Sequence, residues 1–217
     1  MVLQLVKKDF LLAKKYALIM PLMAIILPLI MSSEKGMGLG FIVFLWTALA
    51  VQISLTGTVS VVETKYSKGA ALLCAVPYTR SMYVKSKYLY DLFIFVCYCL
   101  IYTAAALVFP DSLIKPDWFS IGIVFLAITL IRGTLIPLEI KLGYQKTKYI
   151  SMLFIFFIPF VLPTLMNALG LDISMFSFNL ADKIPQLAVN IIPFILAFAA
   201  AGLSLAISIG IYTKKDL

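Results

Sequence analysis

Three ionisable residues interrupt long apolar runs and are the first candidates for chemistry: Asp91, Arg132 and Glu139. If those runs cross a membrane, each charge costs at least ~2.5 kcal/mol at the bilayer centre unless it is paired or hydrated. Arg132 has two candidate partners, because Glu139 lies seven residues later on the same helix face and Asp91 lies on another run. Two interpretations stay open: a structural pair or a snorkelling arginine, and charges that face a substrate cavity.

Other familiar kinds of site lack the residues to build them. The chain contains no histidine, which excludes Ser-His hydrolysis and histidine-ligated zinc. It contains no GxxxxGKS/T phosphate loop, no dinucleotide fingerprint and no cluster of metal ligands. Its cysteines, Cys74, Cys97 and Cys99, are expected to be small apolar residues without a disulfide. We therefore predict that the chain is not an enzyme and holds no catalytic residue, metal or cofactor.

The segment Glu63–Val76 combines charge with a helical pattern. Its apolar residues recur at three- and four-residue spacing, while its charged residues lie off that stripe. The apolar members are Tyr66, Ala70, Leu72, Leu73 and Val76, and the charged ones are Glu63, Lys65 and Lys68. Pro77 is expected to end the helix. The segment is longer than a simple connection needs. This favours a helix along the membrane that docks a soluble partner; a basic loop that only sets orientation stays the alternative.

The composition requires a membrane as the solvent. The chain has 217 residues, of which 63% are hydrophobic and 13% charged, and its mean hydropathy is +1.05. A soluble domain needs more charge to cover its surface. Since a span needs roughly 20 apolar residues, we predict an all-α fold with a single transmembrane domain over residues 1–217. Its six transmembrane helices are Tyr16–Met31, Leu39–Val62, Tyr88–Phe109, Trp118–Ile140, Tyr149–Leu169 and Asn190–Tyr212.

The distribution of lysine and arginine predicts the orientation, because cytoplasmic loops carry an excess of both. With the N-terminus inside, fourteen of the 18 lie in inner segments. Each of the three outer loops holds one, and Arg132 lies within a span. Both termini are therefore predicted to be cytoplasmic. The net charge of +8 follows from topology, so no nucleic-acid partner is expected.

Two further segments are predicted to lie on the membrane surface. Residues 1–15 place Leu3, Val6, Phe10 and Ala13 on one helix face and lysines on the other, which is typical of an interfacial amphipathic helix. This helix is either a topology anchor or an elbow helix beside a transport domain. The outer connection 170–189 mixes acidic with large apolar residues. We predict that it forms an outer-face loop or short helices.

The order and spacing of several short motifs resemble those of the type-2 ABC transporter permeases, the membrane subunits of ATP-driven exporters. The matching residues are Leu-Val-Lys-Lys-Asp-Phe-Leu-Leu at 5–12, Glu63, Leu72-Leu73 with Pro77 and Arg80, Ser86-Lys87-Tyr88-Leu89, Ile136-Pro137-Leu138 and Lys141-Leu142-Gly143-Tyr144. The resemblance covers essentially the whole chain. Within the family, the chain looks most like the small bacterial permeases of peptide exporters, such as those for phenol-soluble modulins.

The resemblance implies partners and roles that the composition does not show. Two permeases, identical or closely related, pair in the bacterial plasma membrane above two ATPase subunits that hold ATP and magnesium. Residues 63–77 become the coupling helix and residues 1–15 the elbow helix. Glu63 pairs with a basic residue of the ATPase or caps the coupling helix. Beside Lys65 and Lys68, the residues that fill a groove of the ATPase are Tyr66, Leu72 and Leu73.

The expected function is export of an amphipathic peptide or lipid-like substrate, by alternating access that the ATPase powers. The outward direction is implied by the resemblance alone. Two alternatives stay open. One is a secondary transporter driven by an ion gradient, which needs an acidic cluster or broken helices at the midplane. The other is a membrane subunit that organises a complex without moving a substrate.

Overall fold

The computed structural model describes residues 2–17, 19–31, 39–65, 79–110, 113, 115–169 and 186–213. These residues form seven α-helices and no strand. In chain order the helices are α1 (Val2–Ala17), α2 (Ile19–Met31), α3 (Leu39–Lys65), α4 (Arg80–Val108), α5 (Trp118–Leu142), α6 (Tyr144–Leu169) and α7 (Gln186–Thr213). The predicted all-α fold class is confirmed for this part of the chain.

Among the described residues, four helices are long and apolar enough to cross a membrane. The candidate spans are Gly40–Thr64 in α3, Ser81–Val108 in α4, Trp118–Leu142 in α5 and Val189–Thr213 in α7. The apolar part of α2, Pro21–Ile30, is shorter. The fifth predicted span lies within α6, whose backbone stays helical to Leu169. The chain is a membrane protein by these helices, and the number of six spans stays a prediction.

Helix α3 lies at the centre of the bundle. It contacts α1, α2, α4, α5 and α6, and 78% of its span is buried, against 11% for α7. A helix that is apolar on all faces is a buried helix. Its polar groups bond inside the bundle: the hydroxyl oxygens of Thr47 and Tyr98 lie 2.6 Å apart, and the Trp46 indole donates to the Ile155 carbonyl at 2.8 Å. These bonds join α3 to α4 and α6.

Helices α5 and α7 approach closely at small residues. A Cβ at Gly133 would lie 3.2 Å from the Ser204 side chain, and the Ser204 hydroxyl donates to the Gly133 carbonyl. The hydroxyls of Ser204 and Ser208 share hydrogen bonds with the Tyr88 hydroxyl of α4, at 2.6 and 2.9 Å. Small residues and hydroxyl groups are typical of helix contacts inside membranes. This junction joins α4, α5 and α7.

Helix α4 begins earlier than the third predicted span. The sequence predicts a span that begins at Tyr88, whereas the structure has one helix, Arg80–Val108. Hydropathy marks where the chain enters the membrane, and Lys85 and Lys87 do not end a helix because lysine is a good helix former. The predicted boundary is therefore that of the apolar run and not that of the helix.

Helix α1 is present, but the stripe that packs on the bundle differs from the predicted one. Leu5, Asp9 and Ala13 are its buried side chains, with 3%, 1% and 1% exposure. Leu3 and Phe10, which the sequence assigns to the apolar face, are 73% and 44% exposed. The amphipathic pattern of a sequence identifies the apolar face of a helix, and in a membrane such a face is expected to contact lipid. The face of α1 that packs on the protein contains an acid, Asp9.

The predicted coupling helix 63–77 and the predicted outer-face segment 170–189 fall mostly outside the described residues. Residues 63–65 belong to the last turn of α3, and residues 186–189 begin α7. The remaining residues of both segments, 66–77 and 170–185, are not among those described.

Candidate functional site

Four charged residues and a tyrosine meet where α1, α3 and α4 come together. We call Lys8, Asp9, Glu63, Tyr83 and Lys87 the Glu63 cluster. Glu63 Oε1 accepts a hydrogen bond from Lys8 Nζ at 2.8 Å. Glu63 Oε2 accepts hydrogen bonds from Lys87 Nζ at 2.8 Å and from the Tyr83 hydroxyl at 2.9 Å. Both carboxylate oxygens of Glu63 are therefore used within the chain, and they join three helices.

Cation–π contacts strengthen the same cluster. The ammonium groups of Lys8 and Lys87 lie 5.9 and 5.3 Å from the centre of the Tyr83 ring. Tyr83 in turn stacks on Tyr212 of α7, with ring centres 5.5 Å apart. An ammonium group over a tyrosine ring is attracted to the negative face of the ring. Each lysine thus has two kinds of partner, a carboxylate and an aromatic face.

Asp9 is the most buried charged residue of the cluster. Lys8 Nζ lies 3.1 Å from Oδ1 and Lys87 Nζ lies 4.0 Å from Oδ2. These contacts are ion pairs without hydrogen-bond geometry, because neither Asp9 oxygen has a hydrogen-bond partner. Burial raises the pKa of the Asp9 carboxyl above its usual value, since the two lysines offset only part of the cost of burying the charged form. The charged form of Asp9 therefore lowers the stability of the folded chain.

One helical turn further along α4, Asp91 pairs with Arg132 of α5. Arg132 Nε donates to Asp91 Oδ2 at 2.9 Å, and Nη2 donates to Oδ1 at 3.3 Å. The Gln52 amide of α3 donates to the Asp91 backbone carbonyl at 2.8 Å. The side chains of Arg132 and Asp91 are 9% and 10% exposed. Of the two partners considered for Arg132 from the sequence, Asp91 is the one in contact.

The spacing along α4 explains why the two ionic groups are neighbours. Tyr83, Lys87 and Asp91 follow one another at four-residue intervals, so they share one face of the helix. The end of α3 brings Glu63 to the first two, and α5 brings Arg132 to the third.

This face of α4 lines a cavity of about 300 Å³ between α3, α4, α5, α6 and α7. Five charged residues line it, namely Glu63, Lys87, Asp91, Arg132 and Glu139. Four tyrosines also line it: Tyr83, Tyr90, Tyr144 and Tyr212. The helix ends around the cavity are the ones that the distribution of lysine and arginine predicts to be cytoplasmic.

Helix α6 reaches this cavity because α3 has a glycine opposite it. A Cβ at Gly57 would lie 3.2 Å from the Tyr144 hydroxyl oxygen. Tyr144 is the first residue of α6 and follows Gly143, whose φ of 83° suits glycine. The turn at Gly143 and the small residue at Gly57 together bring the Tyr144 ring to the cavity wall.

Comparison with known families decides which kind of membrane protein carries this cavity. The sequence model described as ABC-2 family transporter protein matches residues 4–213. The chain belongs to this family. No curated protein and no solved structure matches the chain. The type-2 ABC permease predicted from the sequence is confirmed at the level of the family, whose permeases usually work with ATPase subunits.

The structure of this ABC-2 permease brings some of the predicted site residues together. Those on the common cavity are Glu63, Asp91, Arg132 and Glu139. Lys65 is the last residue of α3. The predicted ATPase-coupling residues that lie outside the described part of the chain are Tyr66, Lys68, Leu72 and Leu73.

The partners of Glu63 in the permease are not evident from the sequence. Lys8 and Lys87 serve there as orientation signals and, with Asp9, as parts of the family motifs, and Tyr83 has no assigned role. One signal was present: the four-residue spacing of Tyr83 and Lys87 on α4 puts a ring and a cation on one face. Periodicity within one helix does not reveal which other helix end packs against that face.

The permease cavity combines two kinds of ionic group. The Asp91–Arg132 pair is buried and is held by two hydrogen bonds between the same two side chains. The Glu63 cluster contains two lysines and two acids at separations from 2.8 to 4.0 Å. Lysine is a point charge on a flexible stem, whereas the planar arginine fork fixes its geometry. The contacts of the cluster are therefore less fixed in geometry than those of the pair.

Proposed function

We propose that this ABC-2 permease is the transmembrane subunit of an ATP-driven exporter. It moves an amphipathic peptide or lipid-like substrate out of the cell by alternating access. Separate ATPase subunits hold ATP and magnesium and carry out the hydrolysis, and this chain supplies no catalytic group. The family match over residues 4–213 supports the role of permease.

The Glu63 cluster is the observation that carries the coupling part of this proposal. Helix α3 ends at Lys65 and α4 begins at Arg80, so the proposed coupling segment 63–77 starts in the last turn of α3 and lies before α4 in the chain. The hydrogen bonds of Glu63 to Tyr83 and Lys87 tie the two helix ends together, and the bond to Lys8 adds α1. A force that an ATPase applies to the segment would therefore reach three helices at once.

The residues of the coupling segment have separate proposed roles. Tyr66, Leu72 and Leu73 fill a groove of the ATPase, and Lys65 and Lys68 lie beside that groove. Glu63 acts from within the chain, because both of its oxygens already accept hydrogen bonds from Lys8, Tyr83 and Lys87. It holds the base of the segment in place.

The proposed transport cycle uses these connections. ATP binding brings two ATPases together and pushes the coupling segment of each permease. Helices α1, α3 and α4 move with the Glu63 cluster, and the Asp91–Arg132 pair keeps α4 joined to α5. The inward cavity then closes on the cytoplasmic side as the spans rearrange toward the outside.

The proposed architecture is that of a multi-pass protein of the bacterial plasma membrane. Six helices span the bilayer with both termini in the cytoplasm, residues 1–15 form the elbow helix, and residues 170–189 cover the outer face. A second permease, identical or related, pairs with this one, and two ATPases bind beneath them. The presence of α1 over Val2–Ala17 supports the elbow assignment.

An amphipathic cargo suits the charges of the cavity better than a sugar does. Four of its five charged residues are engaged in two ion pairs. One charged residue of the cavity is thus left outside the ion pairs, which favours a cargo with one charged group and a large apolar part. This agrees with the resemblance to permeases of small peptide exporters, such as those for phenol-soluble modulins.

Gentle purification of the tagged chain from its native membrane tests the proposal, with mass spectrometry of the proteins that remain bound. We expect a soluble ATPase in stoichiometric amount, and ATP-dependent transport when that complex is reconstituted in vesicles. A tagged membrane protein of similar abundance controls for carry-over. Transport that follows an imposed ion gradient, with no ATPase bound, would reject the proposal in favour of a secondary transporter.

A further inference from the structure

Glu139 differs from the other charged residues of the cavity. Glu63 pairs with Lys87, and Asp91 pairs with Arg132. Glu139 lines the same cavity and is half-buried, yet it forms no side-chain hydrogen bond or ion pair within the described part of the chain. The described wall of the cavity therefore carries one carboxylate more than it has cations.

The cations near Glu139 are already engaged elsewhere. Lys87 and Arg132 line the same cavity as Glu139, but their hydrogen bonds go to Glu63 and Asp91. An anion entering the cavity would have to compete with those carboxylates and would meet the repulsion of Glu139. A cation would not compete with those carboxylates and would not be repelled by Glu139.

The Glu63 cluster shows how this cavity holds an ammonium group. Lys87 Nζ lies 2.8 Å from a Glu63 oxygen and 5.3 Å from the centre of the Tyr83 ring. The same two kinds of group are present elsewhere on the cavity wall, because Glu139, in the last turn of α5, and Tyr144, the first residue of α6, both line the cavity. A carboxylate beside tyrosine rings is a suitable receptor for an ammonium group.

We propose that the cavity binds an ammonium group of the cargo, with Glu139 as its counter-ion and Tyr144 as part of the aromatic wall. The volume of about 300 Å³ is at the lower end for ligand pockets. The site therefore takes a cationic head group, and the apolar remainder of the molecule extends beyond it. That the bound molecule is the transported cargo rests on the proposed exporter function, whereas binding of the ammonium group is a property of this chain alone.

A calorimetric titration tests the inference on the full chain in nanodiscs of zwitterionic lipid. The probes are octylammonium, octanol and octanoate, which share an alkyl chain and differ in the charge of the head group. Heats from empty nanodiscs are subtracted. We expect the wild-type chain to bind octylammonium at least about tenfold more tightly than either other probe, because a charge-assisted hydrogen bond contributes that much.

Two variants locate the site. Glu139→Gln keeps the shape of the side chain and is expected to weaken octylammonium binding about tenfold while octanol binding stays unchanged. Asp117→Asn is the matched control, since it removes one acid from the opposite end of the same helix, where the side chain is exposed and makes no capping bond. It is expected to bind octylammonium like the wild type.

The outcomes separate this inference from the proposed function. Equal octylammonium binding by Glu139→Gln and wild type, or wild-type preference for octanoate, overturns the inference. If Glu139→Gln does not fold, the order of the three probes on the wild-type chain decides. The titration contains neither ATPase nor ATP, so its failure leaves the purification test of the exporter function untouched, and the reverse also holds.

Discussion

The Glu63 cluster and the Asp91–Arg132 pair are one helical turn apart on α4, yet they are built differently. The pair joins one acid to one base through two hydrogen bonds, with side chains 9% and 10% exposed. In the cluster, Lys8, Glu63 and Lys87 are 34%, 20% and 17% exposed, and Glu63 has three hydrogen-bond partners. The pair is shielded from water on both sides, whereas the cluster surrounds one buried acid, Asp9, with side chains that water partly reaches.

The energies of the two groups differ for the same reason. Little water reaches a buried ion pair, so removing one partner leaves an uncompensated charge at a cost of about 3–5 kcal/mol. A partly exposed network loses less, because water and the remaining members compensate in part. We therefore expect the pair to control folding and the cluster to control coupling.

The largest expected effect comes from Arg132→Leu, which leaves the Asp91 carboxylate buried in the bundle without its partner. We expect it to destabilise the folded chain by about 3–5 kcal/mol, seen as a low yield and a lowered melting temperature in nanodiscs. The double variant Asp91→Leu with Arg132→Leu is expected to recover most of that loss, since replacing both partners by apolar residues is often neutral. A single variant that melts like the wild type but no longer supports transport would instead show that Arg132 faces the substrate.

A smaller effect on stability and a larger one on coupling are expected from Glu63→Gln. The variant leaves Lys8 and Lys87 without their shared carboxylate and costs about 1–3 kcal/mol. The chain should still insert and retain its ATPase, while transport per ATP hydrolysed falls. The measurement is transport together with ATPase activity in reconstituted vesicles.

Lys87→Gln and the double variant Glu63→Gln with Lys87→Gln complete a thermodynamic cycle with this change. Because the two side chains share a hydrogen bond of 2.8 Å, their effects on the melting temperature are expected to be non-additive. Additive effects on the melting temperature, or wild-type transport per ATP hydrolysed in Glu63→Gln, would show that the cluster has no part in the proposed mechanism.

Tyr83→Phe is expected to have a modest effect, because it removes one of the three hydrogen bonds to Glu63 and keeps the ring under both lysines. The expected destabilisation is about 1 kcal/mol, measured by thermal unfolding. Tyr83→Leu also removes the ring and should cost more. Equal losses in the two variants would mean that the cation–π contacts do not stabilise the cluster.

Asp9→Asn is expected to have the smallest effect, with the opposite sign. Burial raises the pKa of Asp9 in the folded chain, so the folded state binds this proton more tightly than the unfolded state does. The charged form then costs stability above the folded pKa, and the cost is relieved as the pH falls through that pKa toward the unfolded value. Asn carries no such charge, so the variant should melt slightly higher than the wild type at about pH 8.

The pH dependence of that difference is the check on Asp9. The gap in melting temperature between Asp9→Asn and wild type should close as the pH approaches about 4, where the unfolded carboxyl also takes up its proton. A variant that melts lower than the wild type at neutral pH would show that the ion pairs with Lys8 and Lys87 outweigh the cost of burial.

The apolar helices were the part of the fold that the sequence could predict. Helices α3 and α5 begin at Leu39 and Trp118, as predicted, because a long apolar run has no other stable place than a bilayer. Helix α4 begins eight residues before its predicted span. Hydropathy marks where the chain enters the membrane, whereas the helix extends as far as its backbone hydrogen bonds do. The predicted stripe of α1 differs from its packed stripe because lipid and protein both accept an apolar face.

The charged residues within the spans could be predicted from the sequence, but the ion pairs that they form could not. A charge in an apolar run is costly, and this single fact marks Asp91, Arg132 and Glu139. The choice of Asp91 over Glu139 as the partner of Arg132 depends on how α4 and α5 pack, which the sequence of neither helix contains. The role of Lys8 was hidden for the same reason, because it lies 55 residues from Glu63 in the chain.

Photo-crosslinking from the coupling segment tests whether this segment docks on an ATPase. A benzophenone amino acid is placed at Leu72 or Leu73, and at Asp117 as the reference for the outer end, in the complex purified from native membranes. We expect Leu72 and Leu73 to crosslink to a soluble ATPase and Asp117 not to do so. A complex that transports its cargo without any crosslink from Leu72 or Leu73 to an ATPase would show that this segment does not couple the two subunits.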